Sequence, residues 1–179
     1  MDTSEAVTLI EAAVLRHPGT WGDLGAGDGT FTRALARLLG PEACIYAIDR
    51  DARAIAALER WAKKEAANVI PVRADFTRPF ELPGVRDPTL DGILLANSLH
   101  FVPDADAVLG RLARWLRPGG RVVIVEYDRR AASRWVPYPI SAARFETLAR
   151  SAGLGPPTIT ATRPSAFGGV LYAAVTALR

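Results

Sequence analysis

The sequence predicts an α/β fold: a doubly wound, seven-stranded sheet, mostly parallel, that closes with a C-terminal antiparallel hairpin. Three observations carry this prediction. Short apolar runs alternate with stretches of helical periodicity from the N-terminus to Ala152. The runs are apolar throughout rather than at every second residue, as expected of parallel strands buried on both faces. The last two β-like runs, Thr158–Thr162 and Gly169–Ala177, have no helix between them. The stretch Thr-Arg-Pro-Ser-Ala-Phe-Gly leading from one to the other is too short for a parallel crossover, so they are expected to pair antiparallel.

In chain order, Ser4–Arg16 places Val7, Ile10 and Val14 at helical spacing, with Thr3 or Ser4 as N-cap and His17-Pro18-Gly19 as the stop. His17 suits a cationic cap at that helix's C-terminus. The first strand is Thr20–Leu24, and its helix, Thr30–Leu39, ends at Gly40-Pro41. Strand two, Cys44–Ile48, ends on Asp49, and helix Asp51–Ala66 follows. Strand three, Asn68–Arg73, ends at Ala74-Asp75, and strand four, Gly92–Ala96, ends at Asn97. Helix Asp104–Leu116 lines up Val108, Leu109, Leu112 and Leu116. Arg117-Pro118-Gly119-Gly120 reads as a sharp turn into strand five, Arg121–Tyr127, and helix Ser141–Ala152 precedes the hairpin. The expected organisation is one domain over 1–179: an N-terminal helix (1–19), a ligand-binding core (20–127), and a loop, helix and hairpin (128–179).

Composition narrows the function classes. With 49% hydrophobic and 23% charged residues the chain is globular, and no apolar run reaches the length of a membrane span. Asp2 and Glu5, with no basic cluster at the start, argue against a signal peptide, so the chain reads as soluble and cytoplasmic. One cysteine, Cys44, excludes an internal disulfide and any multi-cysteine metal site. In strand two it suits a small buried hydrophobe. Charge is uneven: residues 1–109 hold 11 Lys+Arg against 16 Asp+Glu, and residues 110–179 hold 11 against 3. Two readings stand: the halves meet partners of opposite sign, or the chain simply favours arginine.

The stretch Asp23-Leu24-Gly25-Ala26-Gly27-Asp28-Gly29-Thr30 carries the first chemical signal. Strand, glycine turn and helix together let backbone lie close against a nucleotide. Thr30 stands where a dinucleotide fingerprint of the G-x-G-x-x-G type places its last glycine, which weakens that reading. A tight turn without a ligand is the plain alternative. Asp49 ends strand two, where a carboxylate, purely an acceptor, suits the vicinal hydroxyls of a ribose. Asp75 ends strand three, where it can accept from an adenine amino group, while the Phe76 N–H and ring meet the base. An N-cap or solvated turn aspartate is the alternative for Asp75. In an open α/β sheet, ligands bind at these carboxyl ends.

These pieces resemble the class I S-adenosylmethionine-dependent methyltransferases of the broad small-molecule type, a Rossmann-like fold. The resemblance rests on Asp23–Gly29, Ile48-Asp49, Ala74-Asp75-Phe76, Leu90–Asp104, Leu116–Arg121, and Tyr138-Pro139-Ile140-Ser141 with Phe145, Leu148 and Ala152-Gly153-Leu154. It covers nearly the whole chain. It implies S-adenosylmethionine as cofactor and S-adenosylhomocysteine as product, with no metal. It places Asp23, Gly25, Ala26 and Gly27 at the methionine end, Asp49 and Arg50 at the ribose, Asp75 and Phe76 at the adenine, and Asn97 where cofactor meets acceptor. Methyl transfer gains much from alignment alone, so a base is optional. His100 is the candidate catalytic base, and a packed histidine ahead of the next helix is the plain alternative.

The acceptor is expected to be selected by Tyr127–Ile140, where Arg129, Arg130 and Arg134 interleave with Trp135 and Tyr138 and suit an anionic or aromatic molecule. A solvated loop whose aromatics close the core is the alternative. Relatives that enclose small acceptors carry a long N-terminal lid; with one helix ahead of the glycine loop, an open acceptor site is expected here. Asn97-Ser98-Leu99-His100 differs from the Asn-Pro-Pro-Tyr of amino-group methylation, and no cysteine stands there for cytosine carbon methylation. The expected activity is methyl transfer to a small molecule. An RNA or protein acceptor, or a methyltransferase-like subunit that binds without turnover, are the alternatives.

Overall fold

The computed structural model describes residues 1–14, 18–85, 88–165 and 168–178. The elements are α1 (Thr3–Ile10), β1 (Thr20–Leu24), α2 (Thr30–Leu39), β2 (Cys44–Asp49), α3 (Ala52–Lys64), β3 (Val69–Arg73), β4 (Leu90–Ala96), α4 (Ala105–Ala113), β5 (Leu116–Asp128), α5 (Ala142–Ser151), β6 (Thr158–Pro164) and β7 (Val170–Ala177). They form one sheet in the order β3-β2-β1-β4-β5-β7-β6. β1 to β5 run parallel to one another, and β7 lies antiparallel between β5 and β6. The chain runs outward from β1 to β3 and returns beside β1 at β4. That reversal opens a crevice at the carboxyl ends of β1 and β4.

Alternate residues of each central strand face opposite cores. Ile45, Leu94 and Val123 point toward Leu9, Ile10, Leu35 and Leu58 of α1, α2 and α3. Ile48, Ile93 and Ile124 point toward Leu109, Leu112, Phe145 and Leu148 of α4 and α5. Burying each such aliphatic side chain contributes about 1.5–3 kcal/mol, which is why these strands read as apolar on both faces. The connection between β3 and β4 contains no helix among its described residues. It covers the α4–α5 face instead: Phe76 and Leu82 are buried, and Phe80 packs edge-on against Trp115 at 4.8 Å. The Tyr46 hydroxyl fastens it by donating to the Pro83 carbonyl at 2.8 Å.

Three details differ from the sequence reading. Asp2, rather than Thr3 or Ser4, caps α1, accepting from the Glu5 N–H while the Glu5 carboxylate accepts from the Asp2 N–H. α1 is also shorter than expected, ending at Ile10; His17 lies outside the described residues. Residues 117–120 are a bulge inside β5, not a turn before it. Leu90 pairs with Leu116 and Gly92 with Arg121, so four residues are spliced out opposite Asp91. Gly119 takes φ +76 there, and Asp91 holds the bulge by accepting from Arg117 Nε at 2.7 Å. Its other oxygen accepts from the Thr20 N–H at 2.7 Å, tying the bulge to the start of β1.

Candidate active site

The glycine turn is folded over the end of β2. The Gly25 and Ala26 N–H groups both donate to the Ile48 carbonyl, at 2.8 and 2.9 Å. Gly25 takes φ +81, and a Cβ there would lie 2.6 Å from the Ser98 Cβ. Gly27 takes φ +54, and a Cβ there would meet nothing within 4 Å because it faces an open cleft. These two glycines are required for different reasons: one by the protein packed against it, the other by backbone conformation at the lip of a cavity.

Each carboxylate is fixed by local backbone. Asp49 accepts from the Gly27 N–H with Oδ2 at 2.8 Å and from the Asp51 N–H with Oδ1 at 2.8 Å. Each oxygen retains acceptor capacity, so a diol can still be held. Asp75 accepts with Oδ1 from the Thr77 N–H and hydroxyl at 3.0 and 2.6 Å. The turn-aspartate alternative is therefore realised by one oxygen, while Oδ2 is left to Arg78 at 3.9 Å and to the cleft. The Thr77 hydroxyl bond holds the Asp75 carboxyl below its ordinary range. Asp23 is 1% exposed and accepts from the Thr32 hydroxyl at 2.7 Å. Burial, opposed by Thr32 and reinforced by the negative charge of Asp49, pushes its carboxyl up to about 7.

Three concavities converge at the ends of β1, β2, β3 and β4. The first, about 240 Å³, is lined by Asp23, Gly25, Ala26, Gly27 and Asn97, among others. The second, about 230 Å³, holds Gly25, Asp49, Arg50, Asp75, Phe76 and Asn97. The third, about 420 Å³, is bounded by Asn97, His100, Phe101, Tyr127, Arg130 and Trp135. All nine residues expected to hold a cofactor line the first two, and the candidate base lines the third. Asn97 lines all three, at φ +52, and its Oδ1 is buried without a partner. Another concavity, of about 520 Å³ between Arg33, Trp61 and Asn68, lies at the opposite ends of the strands and meets none of these residues. Among the described residues no group of three or more His, Cys, Asp or Glu is placed to hold a metal ion.

Sequence reasoning missed two polar residues here. Ser98 supports Gly25 and keeps a buried hydroxyl without a partner. Glu126, fully buried in β5, accepts from the His100 N–H at 3.1 Å and meets His100 Nδ1 at 2.6 Å. A lone carboxylate in Val122-Val123-Ile124-Val125-Glu126 was the available signal. In the loop 127–140, Arg130 alone of the three arginines lines the third concavity, with its guanidinium 4.5 Å from the centre of the Tyr127 ring. Arg134 stacks on Trp135, and Arg129 is exposed beside Asp128. The aromatics do not close the core: Trp135 is 67% and Tyr138 39% exposed, and Val136 and Ile140 are buried instead.

Known proteins with the same plan are numerous. Residues 23–122 match the family described as the methyltransferase domain. The chain is 35% identical over 118 residues to the biotin biosynthesis bifunctional protein BioCD of Bordetella avium, covering 63% of this chain and 23% of that protein. It is 28% identical over 123 residues to the ubiquinone/menaquinone biosynthesis C-methyltransferase UbiE of Stutzerimonas stutzeri, covering 67% and 46% respectively. It thus spans less than half the length of either. A SAM-dependent methyltransferase from Aquifex aeolicus superposes with a TM-score of 0.73 at 18% identity, covering all of both chains. The family match takes in the end of β1, the glycine turn, β2 to β4 and most of the cleft at their ends, and so the chain belongs to the methyltransferase domain family.

Proposed function

We propose that this chain transfers a methyl group from S-adenosylmethionine to a small acceptor, and that the three concavities are its methionine, adenosine and acceptor compartments. The convergence at Asn97 carries this reading, because a group passing between donor and acceptor must cross where their compartments meet. The residues fit the donor. Gly27 opens onto the cleft, Asp49 keeps acceptor capacity for the ribose, and Asp75 with Phe76 offers an acceptor beside an aromatic ring. Asn97 Oδ1 and Ser98 Oγ are buried polar atoms still in need of partners, a condition native sites rarely leave unmet. In this assignment Gly25, Ala26 and Gly27 hold the methionine end with Asp23, and Arg50 stands beside the ribose. S-adenosylmethionine, when bound, supplies an electrophilic methyl on a cationic sulfur; this chain aligns it, excludes water and provides neighbouring carboxylates.

Arg130 supports an anionic acceptor, since its Nη1 is buried without a partner beside the third concavity. The names of the relatives, in quinone and biotin biosynthesis, also point to small acceptors. The test is Asp49→Ala. Calorimetry should show S-adenosylmethionine binding weakened by about tenfold or more, with cooperative unfolding retained. Unchanged affinity would mean that the ribose is not held at Asp49.

A further inference from the structure

His100 and Glu126 come from different elements, a short 3₁₀ turn (Leu99–Phe101) after β4 and the carboxyl end of β5. Both are buried, His100 at 3% and Glu126 at 0% exposure. Glu126 grips His100 twice, through the backbone N–H at 3.1 Å and through ring Nδ1 at 2.6 Å. An ionised carboxylate can only accept, so the nitrogen facing it, Nδ1, is the protonated one, and in the neutral ring the lone pair belongs to Nε2. Nε2 makes no hydrogen bond and is not among the sealed, unpartnered atoms, so it borders the space that His100 lines with Asn97, Phe101, Tyr127, Arg130, Trp135 and Val136.

We infer that His100 is the catalytic base of this site, that Glu126 is its positioning residue, and that the acceptor is a molecule whose attacking atom gives up a proton. The inference rests on the methyltransferase reading above. As the acceptor's proton passes to Nε2, the electron pair it leaves on the attacking atom forms the bond to the methyl carbon, and the carbon–sulfur bond breaks with its pair left on sulfur. One positive charge leaves the sulfur and one appears on the imidazole, next to the Glu126 carboxylate. An acceptor attacking through a thioether or another protonless atom would have no use for this pair. A fixed tautomer also explains why Glu126 interrupts an otherwise apolar strand, since unpaired it would be costly there.

Other charged and titratable groups facing the pair are Tyr127 and Arg130 at the concavity, and Tyr172, which is opposite Glu126 on β7. The Tyr172 hydroxyl is engaged with the Ile140 carbonyl at 2.8 Å. The Tyr138 N–H donates to the His100 carbonyl at 3.0 Å and fixes the turn without touching the ring.

Two histidines stand in the chain, so His17→Gln leaves a single imidazole for nitrogen NMR. The probes are S-adenosylmethionine and S-adenosylhomocysteine, which differ by the methyl and its charge. In the free protein at pH 7, His100 should be the Nδ1–H tautomer. Its Nε2 resonance should move further in the S-adenosylmethionine complex than in the S-adenosylhomocysteine complex, because only the first sets a charged methyl beside that nitrogen. Glu126→Gln keeps an oxygen for the His100 N–H but turns an amide N–H toward Nδ1, and should invert the tautomer. Binding of both probes with identical His100 spectra, or an Nε2–H tautomer in the free protein, would overturn the inference. Should Glu126→Gln fail to fold, the comparison of the two complexes still decides. Binding of neither probe would instead defeat the methyltransferase reading itself.

Discussion

Asp23 shows how one residue can be set for a ligand. Its folded carboxyl titrates near 7, above its ordinary 3.8, chiefly because of burial. The folded state therefore holds a proton that the unfolded state has already released. Stability from this group is fully present below about pH 4 and is lost as pH rises through 7. Asp23→Asn keeps an acceptor for Thr32 and escapes that loss. Its advantage in thermal or urea unfolding should be negligible at pH 4 and reach about 2–4 kcal/mol above pH 7. An advantage independent of pH would contradict the assignment. The same group predicts that binding a cation in the first compartment at pH 7 expels part of a proton. Calorimetric heats measured in buffers of different ionisation enthalpy would then differ, and equal heats would place the cation elsewhere. Legibility at this scale followed local sequence. Asp23, Asp49 and Asp75 were readable because strand, turn and carboxylate are contiguous. Glu126 was not, because its partner lies 26 residues away and is set by strand pairing. Nor was the purpose of Thr32, which stands in α2 as an ordinary helix residue until Asp23 is placed beneath it.

At the scale of elements, the strands were legible from their two-sided apolar runs, and three helix starts to within one residue. Asp51, Asp104 and Ser141 each accept from an N–H of the following turn. The 117–120 bulge was not legible. Pro-Gly-Gly has the chemistry of a turn, and only the pairing of Leu116 with Leu90 shows that the strand has already begun. The stretch from 74 to 89, without a helix among its described residues, was equally ambiguous, since its few apolar residues gain their meaning by covering a sheet face. One close approach makes the sheet testable. A Cβ on Gly92 would fall 2.4 Å from the Trp21 ring, which is 1% exposed in the opposite core. Gly92→Ala should therefore cost about 1–3 kcal/mol in urea unfolding and alter the near-ultraviolet dichroism of Trp21. A neutral result would mean that β4 does not lie against β1 in this register.

Across the whole molecule, the carboxyl ends of β1 to β4 collect carboxylates, and the arginine of the third compartment comes from the basic half of the chain. A positively charged donor and an anionic acceptor would approach such a surface from different sides. If that division reflects function, turnover of small carboxylated phenols should fall about tenfold or more in Arg130→Gln, mainly through KM. It should also vary little with salt. Activity on RNA that declines steeply between low and physiological salt would favour the polymeric acceptor instead. The central claim is that the Gly25–Asp49–Asp75 cleft takes S-adenosylmethionine. Isothermal titration calorimetry of the unaltered protein tests it most directly. A single saturable binding event is predicted for both S-adenosylmethionine and S-adenosylhomocysteine, and the absence of binding to either would contradict it.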